Sequence, residues 1–233
     1  MGGRGSFSMS HGGVAVSSGG AGSLYISSSV ETRADIRKMF IDELGFSELY
    51  GTNELSTAQL GALGIQMKKL ERRYGTIGEG ETYLSITHQA GVKGAAMQMR
   101  DGSKVMFINP DVHENVGEFK KTLASEQKSG FKTKSDGKAT SQYSYTVRHE
   151  YGHLTQYNLR NGATGKAAAR ADASMRSEIR SIAKTKYGAK SDNPSRYGAT
   201  NRREFFAESF ASMTGGKPGA YGKAMRDWFE NRK

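Results

Sequence analysis

The chain has 233 residues, enough for one domain with a sizeable core and a tail. It contains no cysteine, which excludes disulfide bonds and thiolate metal sites, so any metal must be held by histidines and carboxylates. The formal net charge of +11 indicates either an ordinary solvated basic surface or attraction to an acidic partner: nucleic acid, an anionic membrane surface or an acidic substrate segment.

No segment approaches the ~20 consecutive apolar residues of a membrane span. The N-terminus also lacks the continuous apolar core that a Sec signal peptide needs. We therefore expect synthesis in the cytoplasm without a membrane span. Association with a virion and export by a non-Sec route both stay open.

The first part of the chain predicts a tail followed by two helices. Residues 1–30 are rich in Gly and Ser, a composition typical of a flexible tail. Thr32 and Asp35 form a capping-box pattern, so a first helix is expected to begin there and to end before Gly45. Ser56 repeats the pattern with Gln59, and the helix after it carries one apolar stripe: Leu60, Leu63, Met67, Leu70 and Tyr74.

Residues 82–110 predict extended structure. The Asp101-Gly102 pair lies between two strand-like runs, 95–100 and 104–109, and indicates a β-hairpin. The Lys-, Gly- and Ser-rich residues 111–140 predict a short helix followed by a mobile basic loop. Four further helices are expected, at about Ser141–Arg160, Ala167–Lys186, Arg202–Met213 and Pro218–Asn231.

These elements together predict an α+β fold, mainly helical with a small mixed sheet. We interpret residues 31–233 as a single domain. Its N-terminal helices occupy residues 31–80 and its core occupies residues 81–233.

The strongest motif is His149-Glu150-Tyr151-Gly152-His153. On a helix, two histidines four residues apart share one face, with Cβ atoms about 5–6 Å apart, and one zinc ion can bridge them. Glu150 is rotated about 100° around the axis and can act on a water at the open coordination position.

The other residues of the helix support this geometry. Val147, Tyr151 and Leu154 are expected on the face opposite the histidines, so the helix can bury one side while presenting both ligands to a cleft.

Catalytic zinc needs a third protein ligand. His11 lies in the predicted tail, and His88 and His113 lie outside any helical metal pattern, so none of them is a good candidate. Glu204 and Glu208 are four residues apart on the next-to-last predicted helix. One of them would bind the metal and the other would hydrogen-bond a ligand histidine. The alternative is an ordinary amphipathic helix with exposed acids, anchored by its apolar residues Phe205, Phe206 and Phe210.

From about residue 100 to its end the chain resembles the catalytic domain of anthrax lethal factor and related peptidase domains of bacterial toxins and phage or mobile-element proteins. The matching stretches are 149–153, Tyr197-Gly198-Ala199-Thr200-Asn201 and the block from Glu204 to Phe210. The resemblance implies a zincin fold of the gluzincin type, with the small sheet above the active-site helix.

The resemblance also implies roles for individual residues. His149, His153 and Glu204 would bind one zinc ion per chain, and Glu150 would be the general base. Tyr197 would stabilise the oxyanion, and Glu208 would orient a ligand histidine. The substrate would pair its backbone with a sheet edge formed by Lys104, Val105, Met106, Phe107, Ile108 and Asn109.

The favoured hypothesis is therefore a zinc endopeptidase acting on a protein or peptide, with an acidic segment as one option. The alternative is a basic phage- or virion-associated module that binds nucleic acid or protein on a zincin scaffold. The net charge and the Lys-rich residues 120–138 favour this alternative, but aromatic residues are not interleaved with the basic ones as a single-strand platform requires. The intact Glu150 argues against a scaffold without activity.

Overall fold

The computed structural model describes residues 32–75, 80–114, 116–133 and 142–232, so the predicted tail (1–30) lies outside the described residues. Within these ranges the chain forms eight α-helices: Arg33–Lys38 (α1), Thr57–Tyr74 (α2), Asp111–Glu114 (α3), Val116–Lys128 (α4), Gln142–Leu159 (α5), Gly165–Tyr187 (α6), Arg202–Met213 (α7) and Ala220–Glu230 (α8). It also forms four strands: Glu48–Tyr50 (β1), Thr82–Ile86 (β2), Gly94–Gln98 (β3) and Lys104–Ile108 (β4). The mainly helical α+β class and the small mixed sheet are as predicted. No helix of the described ranges is both long enough and apolar enough to cross a membrane.

Both N-terminal helices begin at the predicted caps. Thr32 and Asp35 form a complete capping box before α1, which continues through a π-helical turn, Met39–Glu43. Ser56 and Gln59 form the second capping box before α2. Such caps satisfy backbone N–H groups that have no partner within the helix and contribute on the order of 1 kcal/mol each. The predicted apolar stripe of α2 is buried in the main core from Leu60 to Leu70.

The sheet has the strand order β1-β2-β4-β3. The β1-β2 and β2-β4 pairs are parallel, whereas β3 and β4 form the predicted antiparallel hairpin around Asp101-Gly102. Gly102 has φ +91°, a backbone conformation that favours glycine. The prediction that residues 104–109 form an edge of the sheet is wrong, because β4 is paired on both sides and β3 is the edge among the described strands. The short strand β1 was not predicted.

The predicted basic loop is partly helical. Residues up to Lys128 belong to α4, although the sequence predicts only a short helix here. The physical reason is Leu123, which is 2% exposed and packs with Tyr145 and Ala211 in a small second core. One buried side chain anchors a helix whose other residues are mostly polar. Residues 134–141 of the predicted loop lie outside the described ranges.

The four C-terminal helices match their predictions to within two residues at each end. Helix α5 packs against α7 and the edge strand β3, and α6 and α7 both pack against α8. Gly152 allows α5 and α7 to approach closely, because a Cβ atom there would lie 3.0 Å from Cβ of Phe210 and 3.2 Å from Cα of Ala207. This close contact brings the two helices that carry the predicted metal ligands side by side.

Candidate metal centre

Two histidines one turn apart on α5 form the first half of the site. The His149 and His153 ring centroids are 4.9 Å apart, with the ring planes nearly perpendicular. Both side chains are about 95% buried. Val147, Tyr151 and Leu154 are completely buried, as predicted for the opposite face, so α5 is enclosed on both sides.

Glu204 supplies the second half of the site from the first turn of α7. The Asn201 side chain caps this helix, and its Oδ1 accepts hydrogen bonds from the backbone N–H groups of Arg203 (2.9 Å) and Glu204 (3.0 Å). The cap fixes where the helix begins and therefore where the Glu204 carboxylate projects. Its Oε2 lies 2.9 Å from Nε2 of His149, and its Oε1 lies 3.5 Å from Nε2 of His153.

These three side chains could hold a metal ion. One donor atom from each of His149, His153 and Glu204 lies within 4.8 Å of the other two. Two imidazole nitrogens and one carboxylate oxygen suit zinc, which binds such donors at about 2.0–2.2 Å in sites that keep one position open. The donor set and its enclosure therefore fit a metal.

The electrostatic state of the ion-free site follows from the same contacts. Burial lowers the pKa of His149, but the neighbouring carboxylates of Glu204 and Glu208 outweigh it and raise the pKa to about 9. Burial raises the pKa of Glu204, yet the two histidines hold it well below its usual value. A charged imidazole thus compensates the carboxylate where a metal ion would otherwise do so.

Glu208 is completely buried one turn further along α7. Its Oε2 accepts hydrogen bonds from the backbone N–H of Thr133 (2.7 Å) and from Oγ of Ser195 (2.6 Å). Its Oε1 accepts one from the Tyr145 hydroxyl and lies 3.2 Å from Nδ1 of His149. Glu208 therefore contacts one of the two histidines predicted to bind the metal and also holds two loops against the site.

Glu150 lies between the histidines on α5 and is 5% exposed. Burial raises its pKa, while the two histidines act in the opposite direction. The edge strand passes close above it, because a Cβ atom on Gly94 would lie 3.0 Å from Cγ and 3.2 Å from Oε1 of Glu150. The sequence analysis did not identify Gly94, although a glycine in a strand is a known signal of close backbone approach.

Tyr197 lies in a short 3₁₀ turn, Tyr197–Ala199. Its backbone N–H donates to the carbonyl of Phe131 (2.9 Å), and its ring centroid is 5.7 Å from that of His149. Nζ of Lys132 lies 3.7 Å from the centroid of the tyrosine ring, a cation–π contact. Burial, followed by the charges of Glu204 and Glu150, raises the pKa of Tyr197 well above its usual value, so its hydroxyl keeps its proton and can donate.

Two cavities adjoin the cluster of His149, His153 and Glu204, called the metal group below. The larger, of about 740 Å³, lies against α6 and the first turn of α7, and the smaller, of about 330 Å³, lies against residues 131–132 and α4. Both are lined by four shared residues: Gly94, His149, Glu150 and Tyr197. The edge strand β3 therefore borders the whole site.

The strand predicted to bind substrate lines neither cavity. In β4 the buried Lys104 donates from Nζ to Oδ1 of Asn158. Just beyond the strand, Nδ2 of Asn109 donates to the carbonyls of Gln89 and Val92. These side chains stabilise the fold, and β3, not β4, is the edge of the sheet among the described strands.

The remaining histidines lie elsewhere, as predicted. Nδ1 of the exposed His88 lies 2.6 Å from Oδ1 of Asp111, and His113 is largely buried with its pKa lowered to about 4 by burial. Neither lines the two cavities. His11 lies outside the described residues.

The chain matches no protein-family model, and searches of curated proteins and of solved structures find no match either. Function is therefore inferred from the motifs and from the geometry of the site.

Proposed function

We propose that the protein is a zinc-dependent endopeptidase of the zincin type with a gluzincin ligand set. The observation that carries this proposal is the convergence of His149, His153 and Glu204 from two tightly packed helices, with Glu150 beside them. The buried donors would hold zinc, and the cavities on either side would admit the two halves of a peptide.

Zinc in this site would polarise the scissile carbonyl and lower the pKa of a water molecule toward neutrality. Glu150 would accept a proton from that water as it attacks and would return the proton to the leaving amine. The raised pKa of this buried carboxylate supports both halves of the transfer. Tyr197, protonated and at the rim of both cavities, would donate a hydrogen bond to the oxyanion.

The edge strand β3 supports an extended substrate. It is the outer strand among those described, so one row of its backbone N–H and C=O groups faces away from β4. A peptide that adds as a further strand would lie along Gly94, Ala95 and Ala96, which border the larger cavity. The absence of a bulky side chain at Gly94 would let the scissile bond approach Glu150.

The experiment compares purified wild-type protein with the Glu150→Gln variant on a random peptide library, with and without a chelator. We expect about one zinc ion per chain in both proteins by elemental analysis. We expect hydrolysis to fall about 100- to 10,000-fold in the variant, because the proton acceptor is lost while the ligands remain.

The matched control is Glu118→Gln, an exposed position on α4, which should cleave like wild type. Hydrolysis that survives both the chelator and the Glu150→Gln change would contradict the proposal. A protein that binds zinc but cleaves no peptide would favour the interaction module instead.

A further inference from the structure

The two cavities beside the metal group differ in how their charges are compensated. In the smaller cavity each lysine has an acidic partner: Nζ of Lys93 lies 3.2 Å from Glu126, and Nζ of Lys132 lies 3.8 Å from Glu208. Neither lysine of that cavity therefore offers an unpaired charge to a ligand.

The larger cavity carries three arginines: Arg176 on α6, and Arg202 and Arg203 at the start of α7. None of the three forms an ion pair with a carboxylate of the described chain. Arg176 donates to Oδ1 of Asn193 (2.7 Å), and Arg202 donates to the carbonyl of Ala169 (3.1 Å). Both partners are neutral, so neither guanidinium is paired with a carboxylate. The cavity is also lined by the carboxylates of Glu150 and Glu204, and Glu204 is already paired with His149 and His153.

The one acidic residue on the α6 side of this wall does not change that balance. Asp172 is buried and receives two hydrogen bonds from Arg160, at 2.7 and 2.6 Å. Its charge is therefore already matched by a guanidinium that does not line the cavity.

Two further features show that the arginines are poorly satisfied within the chain itself. The Nε atom of Arg176 is buried and has no hydrogen-bond partner among the described residues. Arg202 and Arg203 occupy the first turn of α7, where the positive end of the helix dipole disfavours cations. An anion in the cavity would give Nε of Arg176 a hydrogen-bond partner and would offset the unfavourable position of Arg202 and Arg203.

We propose that this side of the cleft, between α6 and the first turn of α7, is a subsite for an acidic side chain of the peptide substrate. This inference rests on the proposed function, because it names the substrate class of the same site. A guanidinium matches a carboxylate in shape and charge, and three of them beside the edge strand would select Asp or Glu at one fixed position from the cleaved bond.

Binding can be measured apart from hydrolysis with the full-length Glu150→Gln chain. The probes are two fluorescein-labelled, C-terminally amidated peptide pools that are identical except for Glu in one and Gln in the other. We expect the Glu pool to bind about fivefold to tenfold more tightly by fluorescence anisotropy. Equal binding of the two pools would overturn the proposal.

Substitutions of single arginines test which of them cause the preference for the Glu pool. Arg176→Gln should remove most of it, and Arg202→Gln, at an exposed position, should reduce it about twofold to threefold. Arg176→Lys keeps the charge and should retain part of the preference. The matched control Arg180→Gln lies on the same helix outside the cavity and should behave like the parent chain. An equal loss in Arg180→Gln would assign the effect to net charge and overturn the subsite.

A library cleaved by the wild-type protein separates the two proposals. Enrichment of Asp and Glu at one position supports both. Cleavage without this enrichment rejects the subsite and supports the peptidase proposal. Glu-selective binding without cleavage rejects the peptidase proposal and supports the subsite. Tighter binding of a short single-stranded oligonucleotide that is lost in Arg176→Gln would also overturn the subsite, because the arginines would then recognise phosphate.

Discussion

Replacing Glu208 by glutamine tests whether one buried carboxylate holds the site together. The carboxylate accepts three hydrogen bonds, from Thr133, Ser195 and Tyr145, and is completely buried. Glutamine has the same size but only one acceptor oxygen. Because the Thr133 backbone N–H cannot turn away, the amide oxygen must face it, and the NH₂ group then faces Tyr145.

The expected loss of stability follows from the interactions that the glutamine amide cannot make. The Tyr145 hydroxyl loses a charge-assisted hydrogen bond, worth about 1.5–3 kcal/mol, although it can rotate to accept from the amide. Lys132, whose side chain is 14% exposed, loses its acidic partner. We expect a net loss of about 2 kcal/mol, which lowers Tm by roughly 4–8 °C for a folded region of this size. Zinc affinity should fall about 10- to 100-fold, because His149 loses its carboxylate neighbour.

The assay is thermal unfolding followed by circular dichroism, with zinc affinity from competition with a chromogenic chelator. The matched control is Glu178→Gln: Glu178 also accepts from three side chains, those of Ser174, Trp228 and Arg232, but is 41% exposed. Glu178→Gln should lower the free energy of unfolding by less than about 1 kcal/mol. Equal stability losses for the two variants would refute the argument that burial of Glu208 sets the magnitude.

Three further predictions concern the centre itself. Gly94→Ala should lower both Tm and kcat, the latter at least about tenfold, because its Cβ would lie 2.6 Å from Cγ2 of the buried Thr146 and 3.0 Å from Cγ of Glu150; an unchanged kcat would exclude the close contact. Tyr197→Phe should lower kcat more than it raises KM, as expected for a group that acts on the transition state, and the reverse pattern would reject that role. The metal-free protein should lose stability between pH 6.5 and about 9, because the His149 pKa is raised on folding. Melting curves of chelator-treated protein at both ends of this range should show the loss, and a rise in Tm would contradict it.

The parts of the fold that the sequence predicted are those set by local rules. The two capping boxes at Thr32 and Ser56 depend on residues three apart, and both are present. The Asp101-Gly102 hairpin depends on one turn. The helix of His149 and His153 depends on spacing alone. Each signal lies within a few residues of the feature that it specifies, so tertiary structure had little opportunity to override it.

The order of the strands could not be predicted in this way. Strand β4 pairs in parallel with β2, and β2 in turn pairs in parallel with β1, a strand of three residues. No local pattern indicates that β1 pairs with β2 and places β2 beside β4. The hairpin was therefore predicted correctly, but β4 was predicted as the edge of the sheet where the structure has β3.

The role of Glu208 shows why the candidate metal ligands were easier to predict than the residues that support them. His149, His153 and Glu204 are recognisable because metal chemistry restricts both residue type and spacing. The partners of Glu208 are a backbone N–H at position 133, a hydroxyl at 195 and another at 145, which any of several residue types could supply. What restricts them is burial, since an ionised carboxylate with no exposure must be surrounded by donors. The donors come from loops whose paths only the tertiary structure defines, and Tyr197 is positioned by the same loops. The predicted oxyanion donor therefore depends on a carboxylate that lines neither cavity.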